Sequence, residues 1–376
     1  MRANIIPKDS CIQEWLKGLA ISEVPISYQI VCGLSLIGAV LKRNVFVDQE
    51  LWKIYPNISV LLVGPSGIGK DTVIDQAVRV LGGVGSPEIL AGRTIEILYE
   101  RMLRIGEPAC CVIPAREVSA FFGGKDYQKG MVQELTDLLS TGEYVDISTK
   151  GGGVLKIKKP TVSMWAGSTV DWLHKAMPEG SLEGGLWPRF LIICEEYGSK
   201  HVPLIKHSLN KREKTEAHCA MEGFEERLKE IAQKYTRRRE IVLLKDAQDL
   251  YTNWYMNRIG YFSTLVKPYA NRSRDMVLRI AMVSAISRGV PYIEAVDVQV
   301  GIEVLGEVAK TIDKAVQPPT LEGRIGEDVF GMVPCGMREL MIVLGRKYNS
   351  RVIKETLGFL VETGQVKQVG GKVIRG

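Results

Sequence analysis

Seven consecutive residues, Gly64, Pro65, Ser66, Gly67, Ile68, Gly69 and Lys70, carry the most specific chemical signal in the chain. Their G-x-x-x-x-G-K spacing is that of a phosphate-cradling loop. The glycines let backbone N–H groups converge on phosphate oxygens, and the lysine reaches the β- and γ-phosphates. The context fits: an apolar run of strand length, 58–63, precedes the loop, and helical spacing over 70–81 follows it. A helix beginning there adds its positive dipole end to the site. The expected ligand is ATP with Mg2+.

The next two positions depart from the usual pattern. Asp71 stands where Ser or Thr normally holds Mg2+, and Thr72 comes one residue later. A second apolar run, 109–113, continues into Pro114, Ala115, Arg116 and Glu117 instead of ending in the aspartate that would complete the metal shell. Two readings of Asp71 are open. Either it supplies the missing carboxylate, with Thr72 in support, since Mg2+ is usually held by one or two carboxylates plus phosphate and water, or it caps the helix N-terminus. Glu117 follows the second strand at the edge where an α/β sheet places its ligand, which suits it to orient or activate an attacking water. Its alternative is a surface ion pair with Arg116. Ser168 and Thr169, just beyond a third run at 161–165, either hydrogen-bond that water or the γ-phosphate, or cap a helix starting near Asp171.

The elements that must position these residues read as an α/β fold. Apolar runs at 58–63, 109–113, 161–165 and 190–194 alternate with helical patterns, which predicts a mainly parallel sheet. Helical spacing over 10–41 predicts an N-terminal helical segment, residues 1–50, ahead of a core at 51–200. Within that core, period-two alternation at 144–149 and 154–158 around Lys150 and three glycines predicts a β-hairpin, 144–159, carrying Lys150, Lys156, Lys158 and Lys159. Residues 201–316 read as a charged helical lid, with the Arg237–Arg239 run as a solvated helix end. The paired prolines at 318–319 mark a linker, because proline cannot continue a helix. Beyond it, residues 317–376 have the helix, turn, helix and hairpin order of a small winged-helix module.

Composition narrows the class. With 376 residues, 45% hydrophobic and 24% charged, the chain has the balance of a globular protein with room for two or three domains. The longest apolar stretch, 30–41, is too short to cross a bilayer, so no membrane partner is expected. The first fifteen residues lack a basic segment followed by an apolar core and cleavage site, which predicts a cytoplasmic protein. Seven cysteines without a C-x-x-C pair read as reduced, mostly buried thiols. Net charge is +6, and residues 206–288 hold 17 Lys/Arg against 10 Asp/Glu, an asymmetry that favours a polyanionic partner.

Taken together, these pieces resemble the P-loop ATPases of phages and mobile elements, related to AAA+ replicative helicases of the MCM-like kind. The resemblance runs over about 52–315. It rests on Tyr55, Pro56, Asn57 and the strand and loop through Lys70; on Gly92 to Glu96; on Glu117 to Phe121; and on Leu135 to Leu138. Further pieces are Thr149 to Gly152, Gly167 to Trp172 and Gly184 to Phe190. It implies an AAA+-like P-loop ATPase core with a helical lid. It makes Glu117 the catalytic glutamate, Ser168 or Thr169 the polar sensor, and Arg189 an arginine finger reaching a neighbouring subunit's nucleotide. Arg279 resembles the second sensor that couples nucleotide to domain position; an ordinary structural ion pair is the other reading of both arginines.

The resemblance further implies a hexameric ring in which six hairpin tips grip single-stranded DNA, with Lys150, Lys156 and Lys158 as contacts. Phosphate contacts of this kind carry affinity without sequence information. A solvated hairpin is the plainer alternative. The terminal module, nine Lys/Arg against six Asp/Glu from Leu321 onward, either reads duplex DNA through Arg351 and Lys354 or packs on another subunit. The expected function is an ATP-dependent DNA helicase or translocase in replication of a phage or mobile element. The alternative is a nucleotide-dependent helicase loader or replication initiator that binds DNA without unwinding it. A nucleoside monophosphate kinase, which often has Thr two positions after the lysine, is a third reading.

Overall fold

The computed structural model describes residues 1–90, 95–118, 121, 128–148, 154–176, 185–261, 267–316, 321–362 and 366–375. The chain divides into two compact units, Met1–Val316 and Gln317–Gly376. In chain order the strands of the first unit are β1 (Val45–Asp48), β2 (Lys53–Ile54), β3 (Ser59–Val63), β4 (Glu88–Ile89), β5 (Cys110–Ala115), β6 (Tyr144–Ser148) and β7 (Val154–Lys158). They are followed by β8 (Thr161–Ser168), β9 (Phe190–Cys194), β10 (Arg239–Glu240), β11 (Val242–Leu243) and β12 (Tyr292–Ile293).

The fold is mixed α/β, and its centre is a five-stranded, all-parallel sheet of order β4-β5-β8-β3-β9. The strands read as mainly apolar runs because parallel sheets are covered on both faces; every residue of β3, β8 and the edge strand β9 is buried. Register aligns Val63 with Ser168 and Cys194 at the carboxyl edge, and Ser59 with Phe190 at the amino edge. From β3 the chain passes to one side of the sheet, returns to pair β8 with β3, and then crosses to lay β9 on the other side. Ligands of open α/β sheets bind outside the carboxyl ends of the strands at such a switch in direction.

The helix Ile26–Leu41 is apolar nearly all round and buried at every position but Ile26, as a helix enclosed within a core must be. It pins the central strand by its few hydroxyls. Ser35 Oγ donates to the Ile58 carbonyl at 2.5 Å and accepts the indole N–H of Trp165 at 2.7 Å. Tyr28, two turns earlier, donates its buried hydroxyl to the Val63 carbonyl where the phosphate-loop sequence begins. The N-terminal helices therefore share one hydrophobic core with the sheet and with the helices Lys211–Lys234, Lys267–Ser287 and Ala295–Val316. Replacing Ser35 with Ala leaves the Trp165 N–H buried without its acceptor, and is expected to lower the unfolding free energy by about 1–3 kcal/mol in a denaturant titration.

Several elements differ from the sequence expectation. The second strand runs on through Pro114 to Ala115, where both residues pair with β8, and the third runs on to Ser168, where Gly167 and Ser168 pair with β3. The charged helix stops at Lys234, so Arg237–Arg239 is not a helix end; Arg239 enters β10, which pairs in parallel with β1. The small sheet β10-β1-β2 and the edge strand β4 carried no period-two signal long enough to be read. The linker prolines and the hairpin tip, Lys150 included, lie outside the described residues.

The second unit has a separate core built from Ile325, Val329, Leu340, Ile353, Leu357 and Val373. Its elements are the helices Leu321–Met332, Met337–Leu344 and Ser350–Glu362 with a hairpin of Val366–Val369 and Lys372–Arg375, to which the short strand Cys335–Gly336 pairs. Among the described residues, no helix of the chain is long and apolar enough to cross a membrane.

Six of the seven cysteines are buried and Cys219 is exposed, all as free thiols. Burial pushes the Cys11 thiol up to about 12 and Cys194 up to about 11. Thiolate is the reactive form. Brief treatment of the native protein with iodoacetamide is therefore expected to add a single carbamidomethyl group, at Cys219, by intact mass.

Candidate nucleotide site

At the carboxyl edge of the sheet, β3 ends at Val63, residues 64–69 turn, and the helix Lys70–Val84 begins. The turn needs its glycines. Gly67 and Gly69 adopt φ of +83° and +98°, the left-handed region that side-chain-bearing residues avoid. Gly64 has no room for a side chain: a Cβ there would lie 2.5 Å from the Glu195 carbonyl oxygen and 2.7 Å from the Tyr28 hydroxyl. Gly64→Ala is expected to cost about 1–3 kcal/mol of stability by overpacking, visible as a lowered melting temperature.

Lys70 is the first residue of the helix and its side chain is buried. Its Nζ donates to the Gly64 and Pro65 carbonyls at 2.7 and 2.8 Å, so two of three ammonium hydrogens hold the loop and one remains for an anion. Desolvation lowers the Lys70 pKa, and the nearby charges of Glu117 and Asp71 oppose that. Pro65, Ser66 and Gly67 are exposed, Ile68 tucks into the core, and Asp71 and Thr72 are exposed in the helix's first turn.

The N-cap is Gly69, so Asp71 is not the cap. Asp71, exposed in the first turn, favours the helix dipole, and its charge acts on Lys70 and Glu117.

Gly167 brings Glu117 to the lysine. The Val118 N–H donates to the Gly167 carbonyl at 2.8 Å, laying the turn after β5 across the end of β8. A Cβ on Gly167 would meet the Arg116 carbonyl oxygen at 2.3 Å and the Lys70 Cβ at 3.7 Å, so the strand is a glycine where loop, helix and turn converge. Arg116 forms its ion pair with Asp75 of the helix after the loop, at 2.6 Å, and not with Glu117. Glu117 is exposed beside Lys70. Desolvation raises its pKa, Lys70 lowers it, and the like charge of Asp71 raises it further. One lysine and two carboxylates thus act on one another at the mouth of a backbone cradle.

Thr169 is half-buried and its Oγ1 accepts the Trp172 N–H at 3.3 Å, capping the helix Val170–Ala176; Ser168 Oγ donates to the Thr169 carbonyl. Both hydroxyls are engaged locally beside the loop. The arginines sit elsewhere. Arg189 immediately precedes β9, and Arg279 donates to the Asn57 carbonyl and Oδ1 at 2.6 and 2.9 Å, so both lie at the amino edge of the sheet. At about 3.3 Å per strand residue that is about 20 Å from the loop of the same chain, beyond the reach of either side chain. Arg279 is therefore not among the groups around its own chain's loop.

Arg189 donates to Ser140 Oγ and to the Gly185 carbonyl, and shares a cavity of about 110 Å3 with Arg272, Arg279, Asn57, Ser59 and Asp275. Burial, then repulsion by Arg272, lowers the Arg189 guanidinium to about 10, which leaves it charged at neutral pH. Arg272 was not legible in the sequence, because it is 83 positions from Arg189 and belongs to another element.

The hairpin stem is not a bare basic surface. Lys156 lies over the Tyr144 ring and 3.6 Å from Asp146, while Lys158 and Lys159 both face Glu107. Such exposed pairs are weak, but they neutralise the stem.

A cavity of about 340 Å3 beside Thr72 is lined by Ser22, Gln76, Arg79, Lys214, His218 and Met221. It too escaped the sequence reading, since three separate helical segments build it. No protein-family model matches the chain, and no curated protein matches it.

Among the described residues, no group of three or more His, Cys, Asp or Glu side chains converges as a ready-made metal shell. A cation bound here with a phosphate ligand would be held chiefly by phosphate and water. Asp71 and Thr72, exposed on the first turn of the helix, are the protein groups that would complete its coordination, and the metal would neutralise charge on the transferring phosphate.

Proposed function

We propose that this chain is a Mg-dependent ATP hydrolase with an AAA+-like core that drives translocation on DNA or its unwinding, in replication of a phage or other mobile element. In this reading it works as an oligomeric ring in which Arg189 serves the nucleotide of the neighbouring copy. The observation that carries the proposal is the separation of charge. Lys70, Asp71 and Glu117 surround the loop at the carboxyl edge, whereas Arg189 and Arg272 share a small cavity at the opposite edge. A phosphoryl-transfer site of this kind gains its arginine when a second copy brings one edge against the other.

In this reading Gly64 to Gly69 and Lys70 bind the phosphates, Asp71 and Thr72 hold the cation, and the nucleoside enters the cavity beside Thr72. Glu117 accepts the proton of the attacking water, and the ring of arginines stabilises charge on the transferring oxygens. The lysine-lined hairpin and the basic tail supply DNA contacts.

The test is steady-state ATP turnover against protein concentration, with and without single-stranded DNA, with mass measured in solution. The expected result is turnover per subunit that rises with concentration as an oligomer forms, and rises again with DNA. Turnover independent of concentration in a monomer would overturn the shared site. Nucleotide binding without DNA-stimulated turnover would favour a helicase loader or replication initiator, a reading that the neutralised hairpin stem supports.

A further inference from the structure

We infer that the small sheet β10-β1-β2 and the residues flanking it form a second surface for single-stranded DNA, apart from the hairpin. This rests on the DNA-acting reading above and adds a site to it. Three exposed arginines lead into this sheet, Arg237 and Arg238 just before β10 and Arg239 as its first residue, and among the described residues none of them meets a carboxylate. The hairpin's Lys156, Lys158 and Lys159, by contrast, each face a carboxylate.

Aromatic rings lie between these charges. Arg238 sits 5.4 Å from the centre of the Phe46 ring and donates to the Tyr55 hydroxyl at 3.1 Å, while Lys53 covers Phe46 at 4.2 Å. Trp52, next to Lys53, is 42% exposed, with the Arg274 guanidinium 5.3 Å from its ring. Of these rings Trp52 is the one open to a ligand.

That combination selects the occupant. Unpaired guanidinium groups bind phosphates, and an exposed indole flanked by a guanidinium is a stacking platform for a base. A stacking base must be unpaired, so a single strand fits and a duplex offers its phosphates alone. An acidic protein segment would use the arginines and leave Trp52 without a role.

The experiment measures fluorescence anisotropy of a labelled 20-nucleotide oligo(dT), and of a duplex of equal length, across a salt series. The full chain is compared with Arg237→Glu/Arg239→Glu and with Trp52→Ala. Both side-chain sets are exposed, so melting temperature and DNA-independent ATP turnover are expected to hold. The charge reversal is expected to weaken binding at least tenfold and to make the log–log salt slope shallower by about 1.4, the value for two phosphates on a single strand. Trp52→Ala is expected to weaken oligo(dT) binding by roughly fivefold or more and to spare the duplex.

Unchanged affinity and slope in both variants, with DNA still stimulating turnover, would overturn this surface while leaving the motor reading intact. A loss of oligomer mass with DNA affinity per subunit retained would assign the surface to contact between copies. Absence of oligo(dT) binding by the unaltered chain would overturn both.

Discussion

Replacing Arg189 with Ala is expected to lower ATP turnover at saturating nucleotide by 10³-fold or more while nucleotide affinity and melting temperature stay close to those of the unaltered protein. The size follows from what an arginine finger does: it meets charge that develops on the transferring phosphate, and it binds the ground state little. The geometry adds a sharper expectation. Arg189 is about 20 Å from its own loop at strand rise, so the defect lies between copies and not within one. Mixing the Arg189→Ala protein with a Lys70→Ala protein, each inactive alone, is expected to restore turnover, because mixed oligomers contain interfaces with an intact loop on one side and an intact arginine on the other. Arg189→Lys is not expected to rescue, since an ammonium cannot reproduce the planar, two-pronged donor. Arg272→Ala, which removes a neighbouring charge from the same cavity, is expected to give a smaller loss in turnover. Retained turnover in Arg189→Ala, or failure of the mixture to recover, would remove the shared site.

Glu117→Gln is expected to cost 10²- to 10⁴-fold in turnover, the usual contribution of a positioned general base, and to leave nucleotide binding at least as tight. The change keeps the side chain's shape and removes a negative charge beside the phosphates. The pH profile separates this role from a structural one. Desolvation raises the Glu117 pKa above the ordinary glutamate range, Lys70 pulls it down, and Asp71 raises it again. A base must be deprotonated to act, so turnover falls as pH drops through this raised pKa, and the acid limb lies at higher pH than an unperturbed glutamate would give. In Glu117→Gln that limb is expected to vanish, leaving a low and nearly flat rate. Asp71→Asn removes the charge that raises Glu117 and is expected to move the limb toward lower pH. An acid limb that persists unchanged in Glu117→Gln would assign the proton to another group.

The two predictions test opposite edges of one sheet, and together they ask whether ATP chemistry is completed within a copy or between copies. Ser35→Ala and Gly64→Ala probe the scaffold on which both edges depend. The helix that carries Ser35 and Tyr28 touches the amino end of β3 with the first and the start of the loop with the second. A substitution there therefore acts on the site through strand position, without touching a ligand.

What the sequence by itself determined was local. The loop from Gly64 to Lys70 was legible because its glycines and lysine answer to backbone conformation and charge, both of which act over a few residues. The long buried strands were legible because parallel strands covered on both faces are uninterrupted apolar runs. The hairpin stem showed in its period-two alternation, and the structure added the register that sets Tyr144 against Lys158. The tertiary structure decided everything that depends on convergence. It gave Arg116 to Asp75 and so freed Glu117, and it made Gly69 the cap in place of Asp71. It paired the hairpin lysines with Glu107 and Asp146, led the Arg237–Arg239 run into the edge strand of a small sheet with Arg238 over the Phe46 ring, and set Arg272 next to Arg189. Local spacing fixes which residues share an element, whereas the partner of a charge is fixed by distance in space, which the packing of β3, β8 and the helix Ile26–Leu41 sets.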